Sequence, residues 1–373
     1  MEKKVFEKRN NKIKEIMQKK GIDAVVALSF ENVFYSTGAY IMTQKVLRDR
    51  LEIAVFSEKD PIFIVCGIEE KTAREESWIE DIRTYIEFAE SPIQMLSDVL
   101  KELGYQKGKI AIEKHVLSTY HFLELNKVLP DIQLIEGQPI FDEIMMIKEE
   151  YEIETLREAA KITRKAADAA FIKARPGMTE KQLADEMNIS LLQQGMDELC
   201  FMVLGTGSRS LFVHPSPSNI QLKKGDILRV DFGGLLRGYY SDLARTAAVG
   251  EPTKAQKETY QKLADIQLEV INYITAGRRF CDIYSLCKKL YKKKDLPFNM
   301  PHIGHGLGIG LHEEPVINPL NKSEVKENMV LNVEPLVFND GYGYHIEDLI
   351  LTTKKEPVIL TGSQMSNQIP VIN

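Results

Sequence analysis

The chain has 373 residues, of which 44% are hydrophobic and 27% charged, and it carries a formal net charge of −6. These values are ordinary for a globular protein, and the length predicts two domains. The densest basic run, "KKLYKKKD" at 288–295, is typical of a solvated helix face, so the composition argues against a nucleic-acid partner.

The cysteines and the N-terminal sequence indicate a cytoplasmic protein. Cys66, Cys200, Cys281 and Cys287 form no CxxC pair, which disfavours a disulfide framework or a zinc–thiolate site. Residues 1–30 predict a charged helix followed by a short apolar strand, a pattern unlike a secretory signal. No apolar run approaches the roughly 20 residues that span a bilayer, so we expect no membrane partner.

Residues 1–140 alternate between helical and strand patterns. Stretches such as "AVVALS" and "PIFIVC" predict strands, and "SPIQMLSDVLKELGY" predicts an amphipathic helix that ends near Gly104. This alternation predicts an α/β domain, in which we find no catalytic cluster.

A long helix is predicted to open a second domain. Apolar and small residues recur at spacings of three and four from Ile153 to Ala170, and Pro176-Gly177 ends the pattern. We place the boundary near residue 142, which gives domains of residues 1–142 and 143–373.

The second domain contains indications of an internal repeat. Capping boxes at Thr179-x-x-Gln and Thr253-x-x-Gln each predict a helix start, and Asp282 is predicted to cap the equivalent of the first of these helices. Each half then consists of two helices followed by a pair of strands. Two such halves would pack face to face, with a site at their junction.

Two carboxylates lie within the apolar strands of the first half. Asp231 and Asp242 belong to "ILRVDFGGLLRGYYSDLARTAAV", residues 227–249. A charged group in such a strand is costly unless it is paired or bound to a metal. A hairpin turn around Leu236-Arg237 would place the two side chains directly opposite each other.

The second half repeats this arrangement. Glu334 and Glu347 lie in "MVLNVEPLVFNDGYGYHIEDLILTT", residues 329–353, and a two-residue turn at Asp340-Gly341 pairs them across the strands. Four carboxylates brought together in a core would repel each other strongly, and divalent cations would relieve that repulsion. The sequence therefore predicts a site for two divalent ions.

One imidazole would complete such a site. Three histidines lie in "HIGHGLGIGLHEEP", residues 302–315, and His305 is the best ligand candidate because glycines flank it on both sides. The glycines alone are also compatible with phosphate binding. No P-loop lysine follows them, however, and the acids would repel a phosphate.

These motifs together resemble the pita-bread metallopeptidases, which include aminopeptidase P, Xaa-Pro dipeptidase (prolidase), methionine aminopeptidase and the metal-free creatinase. "VDFGGLLRGYYSDLART", "HIGHGLGIGLHEEP", "NVEPL" and "HIEDLIL" occur in the family's order, after an α/β region like the N-terminal domain of creatinase. The resemblance covers nearly the whole chain. It implies an α/β (α+β) protein with a creatinase-like N-terminal domain and a pita-bread domain with a pseudo-twofold repeat.

The resemblance also implies roles for individual residues. Asp231, Asp242, His305, Glu334 and Glu347 would hold two divalent ions, Mn²⁺ first, with Co²⁺ or Zn²⁺ as alternatives. Asp242 and Glu347 would bridge the ions, and Glu334 would also exchange a proton with the leaving nitrogen.

His312 and His214 match histidines that contact the substrate in this family. His302 is expected to have a structural or indirect part. A packed loop histidine before Pro215 remains the alternative for His214. The implied activity is hydrolysis of Xaa-Pro bonds in small peptides by a metal-activated water, in a homodimer.

Two positions depart from the common family pattern. Many members have an arginine where this chain has His345, and many dipeptidases have a basic residue after the "HE-P" motif, where this chain has Val316. A missing cation weakens recognition of a free substrate carboxylate. A metal-dependent hydrolase of a non-peptide C–N bond, with a substrate like that of creatinase, is therefore the main alternative. A binding protein without activity is a third, although such relatives usually lose ligands.

Overall fold

In the computed structural model, which describes residues 3–47, 50–362 and 368–373, the chain forms two compact units, Met1–Met145 and Met146–Asn373. Each unit has its own hydrophobic core. None of the helices in the described ranges is both long and apolar enough to cross a membrane.

The first unit is built on a six-stranded mixed sheet. Its elements in chain order are α1 (Lys3–Lys20), β1 (Ala24–Ala27), α2 (Phe30–Thr37), α3 (Met42–Val46), β2 (Ile53–Ser57), β3 (Ile62–Cys66), α4 (Glu70–Glu76), β4 (Asp81–Tyr85), α5 (Pro92–Glu102), β5 (Lys109–Ile112), α6 (Thr119–Val128), β6 (Gln133–Glu136) and α7 (Gln138–Met145). The strand order in the sheet is β4-β3-β2-β1-β5-β6. Every residue of β1, β2 and β3 is buried, as expected for strands covered on both faces. The predicted α/β organisation is confirmed.

The second unit repeats a pair of helices followed by strands. Its elements are α8 (Glu150–Lys173), α9 (Glu180–Gln193), β7 (Glu198–Thr206), β8 (Ile227–Leu236), β9 (Tyr239–Tyr240), β10 (Leu243–Val249), α10 (Lys254–Tyr273), α11 (Phe280–Lys293), β11 (Gly304–Gly306), β12 (Val330–Val333), β13 (Leu336–Asn339), β14 (Tyr342–His345), β15 (Asp348–Leu351), β16 (Val358–Ile359) and β17 (Val371–Ile372). Helices α8 and α9 share a core with β8 and β10, while α10 and α11 share another with β12 and β15. The predicted long helix is α8, and the predicted repeat is present.

The capping prediction is right at two helices and wrong at a third. Thr179 and Thr253 both form complete capping boxes. The N-cap of α11 is Arg279, however, and Asp282 lies in the first turn, where its carboxylate pairs with the Arg279 side chain at 2.8 Å. Arg279 forms an isolated bridge with Glu324 as Thr179 does with Gln221, which identifies Arg279 as the structural equivalent of Thr179.

The first hairpin differs in register from the prediction. Its turn is formed by Arg237 and Gly238, both at positive φ, one residue later than expected. Asp231 consequently pairs with Ala244, and the prediction that it lies directly opposite Asp242 is wrong. Because Asp242 is two residues from Ala244, its side chain still belongs to the same face of the ribbon.

The second hairpin follows the prediction. Asp340 and Gly341 form a two-residue turn with positive φ values of 50° and 80°. The pairs Leu336–His345 and Val333–Asp348 share one register. Glu334 and Glu347 lie between these pairs and therefore face each other across the strands.

Candidate metal centre

The carboxylate hairpins of the two halves meet along β10. Ala244 accepts a hydrogen bond from the backbone N–H of Glu347 at 3.1 Å. The Thr246 hydroxyl bonds both backbone groups of His345, accepting at 2.8 Å and donating at 2.9 Å. Since Asp231 pairs with Ala244, these bonds bring carboxylates more than 100 residues apart in the chain to one place.

A buried ion pair supports this junction from behind. The Arg245 guanidinium lies 2.7 Å from Asp348, and both side chains are almost fully buried. Arg245 also donates to the backbone carbonyl of Glu347. The pair thus joins β10 to β15 and fixes the backbone on which Glu347 lies.

The hairpins border a cavity of about 500 Å³. Its polar lining contains acids, imidazoles and one guanidinium, and its remaining lining is mostly apolar. The polar residues are Asp231, Asp242, Glu334, Glu347, His214, His302, His312, His345 and Arg229, and the apolar ones include Phe201, Val203, Val213, Met300, Leu311 and Leu336.

Strand β11 carries His305 to the acids. A Cβ atom on Gly304 would lie 2.1 Å from the Asn332 carbonyl, so only glycine permits this approach to β12. His305 Nδ1 lies 2.9 Å from the Gly306 carbonyl and must be the donor, because a carbonyl only accepts. Its Nε2 therefore keeps a lone pair and lies 3.5 Å from Glu334 and 3.8 Å from Asp242.

The donor set fits a divalent cation. Three potential ligand atoms lie within 4.8 Å of one another, one each from Asp242, His305 and Glu347. Asp242 Oδ1, Glu334 Oε1 and Glu347 Oε2 are buried and make no hydrogen bond to any described part of the chain. Buried carboxylate oxygens without partners are costly, and carboxylates with imidazole are ligands that divalent ions accept.

The pKa values show how unfavourable these charges are without a cation. Burial, followed by repulsion from Glu334, raises the pKa of Asp231 to about 7. Burial, followed by repulsion from neighbouring carboxylates, raises the pKa of Asp242 and of Glu347 well above their ordinary values. A bound cation reverses this preference because it favours the ionised form.

Glu334 behaves differently because imidazoles surround it. Burial by itself would raise its pKa, but His302, His305 and His345 outweigh that effect and lower the pKa to about 2. The nearest of them is His302, whose Nδ1 lies 3.2 Å from Glu334 Oε1. His302 thus contacts a predicted ligand, in keeping with an indirect part.

His312 and His214 lie at the cavity lining. The His312 ring stacks on that of His305 with centroids 3.7 Å apart, and burial lowers its pKa to about 4. His214 is exposed, and it directly follows a segment that Arg229 holds through the carbonyls of Phe212 and Val213. Both histidines can therefore reach a molecule in the cavity.

Sequence reasoning missed the residues that hold the loop at 310–313 and the segment that precedes His214. Lys148 and Glu313 form a buried ion pair, and the other Glu313 oxygen accepts from the Gly310 N–H at 2.8 Å. Arg229 is buried and lines the cavity, yet it lies in a strand read only for its aspartate. Lys148 and Glu313 lie 165 residues apart, and Arg229 lies 17 and 16 residues from Phe212 and Val213, so no local pattern signals these contacts.

Comparison with known families agrees with the fold. The model of metallopeptidase family M24 matches residues 154–354, and that of the creatinase/prolidase N-terminal domain matches residues 9–147. The chain therefore belongs to metallopeptidase family M24, the pita-bread metallopeptidases, and is a hydrolase whose family implies divalent metal ions.

Individual relatives span almost the whole chain. An uncharacterised peptidase of Bacillus subtilis, YqhT, is 28% identical over 355 residues, which are 94% of this chain and 97% of that protein. An Xaa-Pro dipeptidase of Pyrococcus horikoshii is 26% identical over 366 residues, 96% of this chain and 98% of that protein. Among solved structures, a prolidase from Thermococcus sibiricus has a TM-score of 0.89 at 26% identity and covers 98% of this chain and 99% of its own.

Proposed function

We propose that this protein is a dinuclear metal-dependent peptidase that cleaves Xaa-Pro bonds in small peptides. The observation that carries the proposal is the convergence of four carboxylates, Asp231, Asp242, Glu334 and Glu347, on one cavity, with His305 Nε2 only 3.5 Å from Glu334. Several of their buried oxygens form no hydrogen bond to any described residue. The Xaa-Pro preference is supported by the relatives, among which are Xaa-Pro dipeptidases and prolidases.

The five side chains would divide between two ions. Asp231 would hold one ion, His305 and Glu334 the other, and Asp242 and Glu347 both. Mn²⁺ is our first choice, with Co²⁺ or Zn²⁺ as alternatives. Such ions supply acidification of a water and polarisation of the scissile carbonyl.

Glu334 is the proposed acid/base. It is ionised, because the pKa of its carboxyl is lowered to about 2, and it borders the cavity beside His302 and His305. It can take a proton from the attacking water and pass it to the leaving nitrogen, provided both lie within hydrogen-bond reach.

The remaining lining would position the substrate. His312 and His214 offer hydrogen bonds to the peptide around the scissile bond, and Arg229 keeps the His214 segment in place. Phe201 and Leu336 provide an apolar wall suited to a proline ring, which has no N–H to satisfy.

The test is an activity matrix of metals against substrates. Chelator-treated protein would be reloaded with Mn²⁺, Co²⁺ or Zn²⁺ and given Xaa-Pro dipeptides, Xaa-Pro-Yaa tripeptides, their C-terminal amides and Xaa-Ala dipeptides. We expect cleavage of Xaa-Pro bonds only. Glu334→Gln should lower kcat at least 100-fold, the lower range for loss of a general acid/base.

The control is Glu356→Gln, an exposed glutamate of the same unit, which should retain full activity. Absence of Xaa-Pro cleavage with every metal would refute the proposal. Hydrolysis of small non-peptide amides by the same preparation would point instead to a C–N hydrolase of another substrate class.

A further inference from the structure

His345 is a buried histidine whose ring nitrogens form no hydrogen bond to any described residue. It ends β14, lines the cavity and is only 4% exposed. Both ring nitrogens are themselves buried. A buried polar group left without a partner destabilises the folded state, so a ring with two of them indicates a missing ligand.

The backbone holds the ring in this position. Thr246 bonds both the N–H and the carbonyl of His345, and Leu336 pairs with it across the hairpin. The backbone position of His345, on which the ring is carried, is therefore fixed by two sheet contacts.

Each ring nitrogen faces a carboxylate. Nδ1 lies 3.6 Å from Asp231 Oδ2, and Nε2 lies 3.8 Å from Glu334 Oε2. Both separations exceed the 2.7–3.2 Å usual for a hydrogen bond. Two ligands of one ion, each bound at about 2.0–2.2 Å, lie roughly 3–4 Å apart, which is the separation seen here.

The position of the ring would also give each of the two proposed ions one nitrogen ligand. His305 lies at the end of the acidic cluster formed by Glu334 and Asp242, whereas His345 lies against Asp231. In the proposed division of ligands, the ion held by Asp231 has only carboxylates. His345 would give it one nitrogen.

We propose that His345 is an additional metal ligand, which binds through Nδ1 the ion held by Asp231. This inference rests on the proposed dinuclear site. Coordination at Nδ1 leaves the proton on Nε2, which faces Glu334 and can donate to it. Ligating histidines commonly use their second nitrogen in this way, and the bond would orient both side chains.

The ligand change has a consequence for metal preference. Imidazole suits Co²⁺ and Zn²⁺, whereas sites made of carboxylates alone suit Mn²⁺. Replacing His345 should therefore weaken the binding of Co²⁺ and Zn²⁺ more than the binding of Mn²⁺. A histidine that only filled space would change all three affinities alike.

The experiment measures metal binding by the full chain, separately from activity. Chelator-treated wild type, His345→Phe and His345→Asn would be titrated with Co²⁺ and with Mn²⁺ by calorimetry, and Zn²⁺-loaded samples examined by X-ray absorption. We expect wild type to bind two ions with an average of one imidazole per ion. Both variants should average half an imidazole per ion and bind one Co²⁺ at least 10-fold more weakly.

The controls separate this inference from the proposed function. Asp231→Asn should weaken binding of the same ion. His115 is an exposed histidine of the first unit, so His115→Asn should leave both the metal affinity and the imidazole count unchanged. Circular dichroism would verify folding, and the shorter, polar His345→Asn provides a second variant. Unchanged affinity and imidazole count in a folded variant would overturn the role of His345 while leaving the dinuclear site intact. A wild type that binds no metal would overturn both.

Discussion

Glu52 shows at the scale of one residue what burial does to an ionisable group. It is fully buried before β2, where Oε2 accepts from the Cys66 N–H at 2.8 Å and Oε1 makes no hydrogen bond among the described residues. Burial raises its pKa to about 8, so the carboxyl is protonated in the folded protein at neutral pH.

This shift predicts a pH-dependent stability of the first unit. In the unfolded chain Glu52 loses its proton near pH 4.5, and in the folded chain near pH 8. The stabilising effect of the bound proton is present below the lower value and is lost as the pH rises through the higher one. Between pH 6 and 9 the free energy of unfolding should fall by on the order of 2–3 kcal/mol.

Glu52→Gln should remove this pH dependence, because an amide of the same shape has no proton to lose. Fluorescence is a selective probe, since the chain has a single tryptophan and Trp78 lies in the first unit, stacked on Phe6. The exposed Glu75→Gln is the control and should keep the wild-type pH dependence. Equal pH dependence in Glu52→Gln and wild type would show that Glu52 is not the group responsible.

At the scale of elements, the contact between β10 and β15 unites the two halves of the second unit. Asp348→Asn keeps the size of the side chain but leaves the Arg245 charge buried without a counter-ion. Removing one partner of a buried ion pair costs about 3–5 kcal/mol, because the remaining charge stays buried and uncompensated. We expect a corresponding loss of unfolding free energy, measured by denaturant titration with circular dichroism.

The prediction has a control on the same unit. Asp168 pairs with Arg164 on the surface of α8, and its carboxylate is about half exposed. Asp168→Asn should cost no more than about 0.5 kcal/mol, as surface pairs usually do. Since Arg245 also holds the Glu347 carbonyl, Asp348→Asn should weaken metal binding as well. Equal stability of the two variants would contradict this role.

The two hairpins show what sequence can predict at this scale. Asp340-Gly341 is a strong local signal for a two-residue turn, and the register that it implies was correct. The first turn places Arg237 at a φ of 52°, a conformation that arginine rarely adopts. Gly238 is therefore the only one of the two turn residues typical of a hairpin turn, and the predicted register of this hairpin is wrong.

Within the candidate site, too, some residues are predictable from the sequence and others are not. Carboxylates within apolar strands are visible in a sequence because burying them is costly, which is how Asp231 and Glu347 were found. The Lys148–Glu313 pair spans 165 residues, and the burial of the His345 ring beside Asp231 and Glu334 depends on packing from several elements. Contacts of this kind are set by tertiary structure and leave no periodic pattern.

At the scale of the whole molecule, metal should stabilise the unit that contains the ligands. The five ligands of the proposed site, and His345 with them, belong to Met146–Asn373. A ligand present at 100 times its Kd stabilises the folded state by about 2.7 kcal/mol. For a unit of this length we expect metal to raise the Tm by roughly 5–10 °C in calorimetry, with Trp78 fluorescence identifying the transition of the other unit.

The size of this shift should depend on pH. Without metal, the pKa values of Asp231, Asp242 and Glu347 lie above their unfolded values, so the metal-free unit loses stability as the pH rises through about 7. Metal binds the ionised carboxylates and displaces their protons. The difference in Tm between loaded and chelator-treated protein should therefore grow from pH 6 to pH 8. A difference that stays constant would show that these carboxylates do not hold the ions, whereas Asp242→Asn should reduce both the difference and its growth with pH.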